Sequence, residues 1–414
     1  MNNRPVRRLI AGLLFLLLPA CGMSIPTTAP SPSSVDMPGG QSGAVGSPDE
    51  SIAPLRKSFS RDVLQATVVK AREFPVPGED RTAASIVVGP DGNLWFTELR
   101  HIGTMSPAGQ LLHDKLLKRW QSIPGTLINR QDGYIWANTA TRLPPRCRCP
   151  KCAPKCSLPP MTDHDRRART PYQLFKISTT MDINTISLPS DTFLFPTNLV
   201  RIDASLYTGR TTFGERHGSD VESDDVDHVN EEGAISKLFS LRFPTYLSPL
   251  ALVRTLVTPD KKLWFYDYAG GLHGCALDGH CVYARLGPPH LYVDNLTGTL
   301  IAFSPADHNV YVCNTNTSTI YKVSLSGRKM GSHKNYEIGF GYCAMQYYHR
   351  DIWVTLNGDS QGRPMLGRLT PSGQFSLISL PFYGGYEVGA LTEGPSGHLW
   401  YLRGRAVGEI LSGV

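Results

Sequence analysis

The sequence predicts an all-β protein, a seven-bladed β-propeller whose N-terminal strand closes the last blade. Three observations lead there. First, the 414 residues hold 39 Gly and 32 Pro but only 18% charged residues, a supply of chain breakers that suits many short strands better than long helices. Second, a turn followed by an aromatic strand recurs near positions 91, 132, 203, 260, 307, 350 and 397, the self-similarity of a repeat architecture. Third, the last copy ends one strand short, and an apolar segment ahead of the first copy can supply it.

The elements follow in order from the N-terminus. Arg4, Arg7 and Arg8 precede an apolar run from Leu9 to Ala20, the charged and apolar regions of an export leader, so residues 1–20 are expected to be a signal peptide. The run ends Leu18-Pro19-Ala20-Cys21, a lipobox-like site at which Cys21 would be acylated and become the mature N-terminus. Residues 21–66 are mostly Ser, Pro, Gly and Thr and read as a flexible tether, because they cannot bury enough apolar surface to offset their ordering entropy. No later stretch approaches about 18 consecutive apolar residues. The folded part is therefore expected on the extracytoplasmic face of a bacterial membrane, held to the lipid bilayer by its acyl anchor alone.

Residues 67–414 form the propeller. Blade one runs Ile86-Val87-Val88-Gly89-Pro90-Asp91-Gly92-Asn93-Leu94-Trp95-Phe96-Thr97-Glu98, then His101 to Gln110, successive antiparallel hairpins joined by Asp-Gly and Pro/Gly turns. Matching turn-plus-aromatic segments include Asp132 to Trp136, Asp260 to Trp264, Asp307 to Tyr311, Arg350-Asp351-Ile352-Trp353 and Ser396 to Trp400. Their recurrence just after the turn in each copy makes these aromatics inter-blade core. The missing outer strand of blade seven is expected at Thr67 to Phe74.

Two insertions, 142–171 in blade two and 210–225 in blade three, separate the second and third strands of their blades. The first holds Cys147, Cys149, Cys152 and Cys156 among basic residues. Four thiols so spaced suit either two disulfides in an exported protein or one soft metal ion such as zinc. The second is acidic: Glu215 to Glu232 contains eight acidic residues and one Arg. Asp220, Glu222, Asp224 and Glu231 match part of a calcium-loop pattern, but Asp225 stands where that loop needs Gly, and a solvated polar loop is expected. Connections of this kind emerge on one face of a propeller, so the two loops, of opposite charge, are expected to shape a rim over the channel mouth. Cys275 and Cys281 flank a hairpin turn and are expected to form a disulfide. Cys313 and Cys343 fall in strands of adjacent blades and are expected to be small core residues.

The formal charge of +6 is small for this length and includes the three leader arginines, so nucleic acid is not an expected partner. Glu98 and Asp267, which follow aromatic pairs in blades one and four, are placed at a possible channel-mouth site for a metal or substrate, or as solvated strand-end carboxylates. The sequence contains no G-x-S-x-G, H-E-x-x-H or phosphate-cradling loop.

Glu73-Phe74-Pro75-Val76-Pro77, the segment Gly89 to Glu98, Ile102-Gly103 and the turn Leu369-Thr370-Pro371-Ser372-Gly373 resemble the blade consensus of the virginiamycin B lyase (streptogramin B lyase) family. The resemblance implies a seven-bladed propeller and a metal-assisted elimination that opens cyclic depsipeptides, using a Glu in the Trp-Phe-Thr-Glu segment and a His on inner strands of late blades. The matching positions depart from that pattern: Leu356 and Arg403 replace the carboxylate, and Tyr342 to Met345 and Glu387 to Leu391 contain no Pro-His pair. No catalytic residue is carried over. The expectation is a monomeric, membrane-anchored binding module for an unknown ligand or envelope protein, without a required cofactor. The alternative is a lyase or lactonase acting on a cyclic ester or peptide.

Overall fold

The computed structural model describes residues 66–77, 83–98, 101–117, 127–138, 173–187, 192–194, 199–213, 221–241, 254–266, 270–286, 300–314, 317–334, 343–358, 362–382 and 387–412. Two N-terminal strands, β1 (Thr67–Val68) and β2 (Lys70–Pro75), precede the first blade. Blade one is β3 to β6 (Ala83–Val88, Leu94–Glu98, His101–Met105, Leu111–Leu116). Blade two is β7 to β10 (Leu127–Asn129, Tyr134–Asn138, Gln173–Ser178, Ile183–Ser187). Blade three is β11 to β15 (Thr192–Leu194, Val200–Ile202, Ser205–Phe213, Val221–Val229, Ile235–Leu241). Blade four is β16 to β19 (Arg254–Val257, Leu263–Tyr266, Gly271–Cys275, Cys281–Arg285), and blade five is β20 to β23 (Ile301–Ser304, Asn309–Asn314, Thr319–Ser324, Lys329–Lys334). Blade six is β24 to β27 (Met345–Tyr348, Asp351–Leu356, Met365–Leu369, Phe375–Ser379). Blade seven is β28 to β30 (Val388–Glu393, Leu399–Arg403, Ala406–Ser412).

The seven sheets are antiparallel meanders, and the fourth position of blade seven is filled by β2, giving the order β2-β30-β29-β28. The closing strand pairs with β30 from Lys70 opposite Ser412 to Pro75 opposite Ala406. The expected seven blades and their N-terminal closure are therefore both present. One detail differs. Thr67 and Val68 do not belong to blade seven: they pair in parallel with Ile378 and Ser379, adding a fifth strand to blade six. The chain thus crosses from one outer edge to the next at Val69, whose amide donates to the Ser379 carbonyl.

Apolar burial is distributed into seven clusters, one in each seam between neighbouring blades. Trp95, Ile102, Ile135 and Phe175 join blades one and two, for example, while Trp400 and Leu402 meet Ile86, Leu94 and Phe96 where the ring closes. In a second strand, adjacent side chains point into the two opposite seams, because the side-chain period is two. Every buried Trp among the described residues therefore stiffens a contact between blades, as its recurrence just after each turn predicts.

The segment expected as a solvated insertion at 210–225 is built differently. Strands β13 and β14 are nine residues each and stay paired from Leu206 opposite Val229 to Phe213 opposite Val221. Inner strand β11 pairs with the same extension. Thr211, Thr212, Phe213, Val221 and Val226 supply β-branched and aromatic character, so the hairpin lengthens. Glu222 and Asp224 are strand residues, whereas the calcium-loop pattern requires them in a loop. Asp220, like the insertion at 142–171 and the segment 1–65, lies outside the described residues.

Candidate functional site

Antiparallel connectivity gives the ring two unlike faces. Turns joining first to second and third to fourth strands lie on one face, and they are short and closed by backbone hydrogen bonds, as in Gly89 N to Asn93 O at 2.8 Å and Ser106 N to Gln110 O at 2.8 Å. Here the repeat acquires its chemistry. The indole Nε1 of Trp95 donates to Asp91 at 2.9 Å, that of Trp136 to Asp132 at 3.2 Å, and the Tyr311 hydroxyl to Asp307 at 2.7 Å. Lysines strap this face from blade to blade: Lys115 Nζ donates to Met181 O, Lys176 to Glu231 O, Lys262 to Leu325 O and Lys322 to Pro371 O.

The opposite face carries the second-to-third and fourth-to-first connections. By strand order these include 139–172, 188–191, 242–253, 287–300 and 335–344. All the long connections fall here, and loops on a rigid scaffold are where binding residues concentrate. Toward this face the strands carry buried polar side chains: Thr97 and Glu98, Asn138, Thr208, Asn314, Thr355 and Arg403.

Glu98 lies at this mouth, opposite His101, but it is 0% exposed and so is no solvated strand-end carboxylate. Asp267 lies outside the described residues, as do Cys21, Cys147, Cys149, Cys152 and Cys156. Leu356 packs into the apolar seam between blades five and six. Among the described residues, no group of three or more His, Cys, Asp and Glu side chains is placed to hold a metal ion.

Arg403 closes the ring. Its guanidinium grips Glu73 of the closing strand through two oxygens at 2.5 and 2.8 Å, and the Tyr401 hydroxyl donates to the same carboxylate at 3.0 Å. Tyr401 reaches Glu73 because Gly408, directly between them, has no side chain; a Cβ there would lie 2.0 Å from the tyrosine ring. Burial and the neighbouring Glu73 charge push the Tyr401 hydroxyl pKa up. A second clasp sets Arg72 against the buried Glu409 at 2.5 Å, with His398 on the other carboxylate oxygen at 2.6 Å. The only sequence signal for these pairs is ring closure itself, because more than three hundred residues separate the partners.

Two disulfides are present among the described residues. Cys275 and Cys281 face each other across β18 and β19 and are joined with their Cα atoms 4.0 Å apart. Cys313 and Cys343, expected as core residues, are also joined, with Cα atoms 6.1 Å apart, so blade five is stapled to blade six. Both are fully buried, which is why their surroundings alone read as core. Near the mouth, burial pushes the Glu387 carboxyl above its ordinary value; shifted carboxyls of this kind accumulate where ligands bind.

No protein-family model matches the chain, and no curated protein matches it. Many solved structures share its fold. A chain of the mitotic checkpoint complex is 10% identical with a TM-score of 0.56, covering 90% of this chain and 98% of its own. The RRP9 WD40 repeats are 12% identical with a TM-score of 0.53, covering 84% and 98%. The extracellular domain of a hybrid two component system from B. thetaiotaomicron is 9% identical with a TM-score of 0.52, covering 83% of this chain and 40% of that one. At these identities the likeness shows the propeller fold alone.

Proposed function

We propose that this chain is a lipid-anchored binding propeller outside a bacterial cell membrane, engaging a ligand or envelope protein through its loop-bearing face. The observation that carries the reading is the asymmetry between faces. One is closed by tight turns, while on the other the strands that lead into the long connections carry buried polar side chains. Two disulfides support an oxidising compartment, in keeping with the leader and with Cys21 as the acylated residue. The residues that the resemblance would require for depsipeptide elimination are Leu356, inside an apolar seam, and Arg403, occupied by ring closure.

The test has two arms. Metabolic labelling with a radiolabelled fatty acid should mark the wild-type chain and leave Cys21→Ser unmarked and released from the membrane fraction. Incubation of the purified chain with a cyclic depsipeptide lactone and magnesium should leave the ring intact. Ring opening that survives deletion of 142–170 would replace the binding-module reading with the lyase one.

A further inference from the structure

We propose that Cys275–Cys281 is an exchangeable disulfide, a redox modification site at which an external dithiol reacts with the folded chain through Cys281. The site is independent of what the loop-bearing face engages. The two cysteines lie directly opposite each other across β18 and β19, yet their surroundings differ. Cys275 is fully buried, in the seam cluster with Val226, Leu241, Leu263 and Phe265. Cys281 is exposed, on the outermost strand of the blade-four sheet. An attacking thiolate must reach its sulfur from outside, so access selects Cys281. The disulfide between Cys313 and Cys343 offers no such entry, because both of its cysteines are 0% exposed.

The hairpin holds both cysteines in place once the bond is broken. At the turn, Ala276 N donates to His280 O at 2.9 Å and Gly279 N to Ala276 O at 3.0 Å; at the far end, Leu286 N donates to Gly270 O at 2.9 Å. Between them the pairing runs without irregularity from Gly271 opposite Arg285 to Cys275 opposite Cys281. The bond spans a sequence separation of 6, against 30 for Cys313 and Cys343, and a short loop gains least from a crosslink. As free thiols, Cys275 is a small apolar core residue, and Cys281 Sγ lies 3.4 Å from the Gly279 carbonyl oxygen, an acceptor for its S–H. The chemical class of the partner is a C-x-x-C dithiol protein. One of its thiolates attacks Cys281 Sγ; a new S–S bond forms as the Cys275–Cys281 bond breaks, and the electron pair leaves on Cys275 Sγ, which takes a proton from water. The second thiolate attacks its neighbour's sulfur in the mixed disulfide and expels Cys281, so the dithiol is oxidised to a disulfide and the chain is reduced by two electrons.

Dithiothreitol serves as the probe dithiol. The purified full chain is incubated with graded dithiothreitol, quenched with iodoacetamide and mapped by peptide mass spectrometry. Cys275 and Cys281 should be alkylated together at about tenfold less reductant than Cys313 and Cys343 require. The rate should be first order in dithiothreitol and unchanged by urea below the unfolding transition, because the folded chain is what reacts. Cys275→Ala leaves Cys281 alone on the outer strand, and that thiol should take up one glutathione from glutathione disulfide. Cys281→Ala leaves the buried Cys275, which should take up none. If Cys275→Ala does not fold, the order and urea dependence of reduction in the wild type decide alone. Reduction of both disulfides together or of Cys313–Cys343 first, a rate that climbs with urea, an unreactive Cys281 in folded Cys275→Ala, or glutathione on Cys275 in folded Cys281→Ala would overturn the site and leave the bond as a structural staple.

Discussion

At the scale of single residues, the turn-and-aromatic repeat is a hydrogen-bonding unit whose exceptions are informative. Asp91, Asp132 and Asp307 each accept from an aromatic four residues on. His349 and Ser396 occupy that place in blades six and seven, and the indoles of Trp353 and Trp400 have no partner. The β24–β25 turn is strained besides, with His349 and Arg350 at φ of 48° and 73°, a left-handed conformation that favours Gly. Arg350→Gly is expected to stabilise the chain by about 1 kcal/mol, read as a higher urea midpoint. Gly408→Ala should act oppositely, because its Cβ would displace Tyr401 from Glu73; overpacking of this kind costs about 1–3 kcal/mol. Asp307 carries a pH effect. Burial pushes its carboxyl up, but Lys322, Tyr311 and Ser304 outweigh that and hold it below the ordinary value. Its stabilisation is thus present above the unfolded-state pKa and lost as pH falls through the lower folded one. Asp307→Asn should flatten the acid limb of the stability profile, measured as thermal midpoints from neutral pH down to about pH 3.

At the scale of elements, the closing strand has the clearest energetic role. β2 joins blade seven by backbone pairing and by two ion pairs, Glu73 with Arg403 and Arg72 with Glu409. The first is nearly enclosed, with side chains 13% and 9% exposed, whereas Arg72 is 45% exposed. Breaking an enclosed pair from one side strands a charge and costs about 3–5 kcal/mol, while a pair with one exposed partner is worth far less. Arg403→Met is therefore expected to destabilise strongly and Arg72→Met mildly. A combined Glu73→Gln, Arg403→Met variant should recover part of the loss in equilibrium unfolding.

At the scale of the whole molecule, the ring holds because every blade shares two seams, and the disulfide between Cys313 and Cys343 makes one seam covalent. Removing it by Cys313→Ser with Cys343→Ser should lower stability by about 2–4 kcal/mol, seen as a lower Tm and faster hydrogen exchange in blades five and six. Much of the molecule was legible beforehand, for a physical reason. Strand, turn and aromatic spacing are local properties, and a repeat writes them seven times, so blade number and the need for an N-terminal closing strand stand in the sequence alone. The same logic misplaced Thr67 and Val68, because apolar β-branched residues suit either of two adjacent sheet edges. It also read the acidic stretch of blade three as a loop, since composition outweighed the Thr and Val that pair it as a strand. What only the tertiary structure decided are the long-range partners: Arg403 with Glu73 inside blade seven, and Cys313 with Cys343 across the seam between blades five and six. Periodicity determines which side of a strand a residue takes. It carries no record of which distant residue waits on that side, and that is settled only when the ring closes and two blades are pressed together.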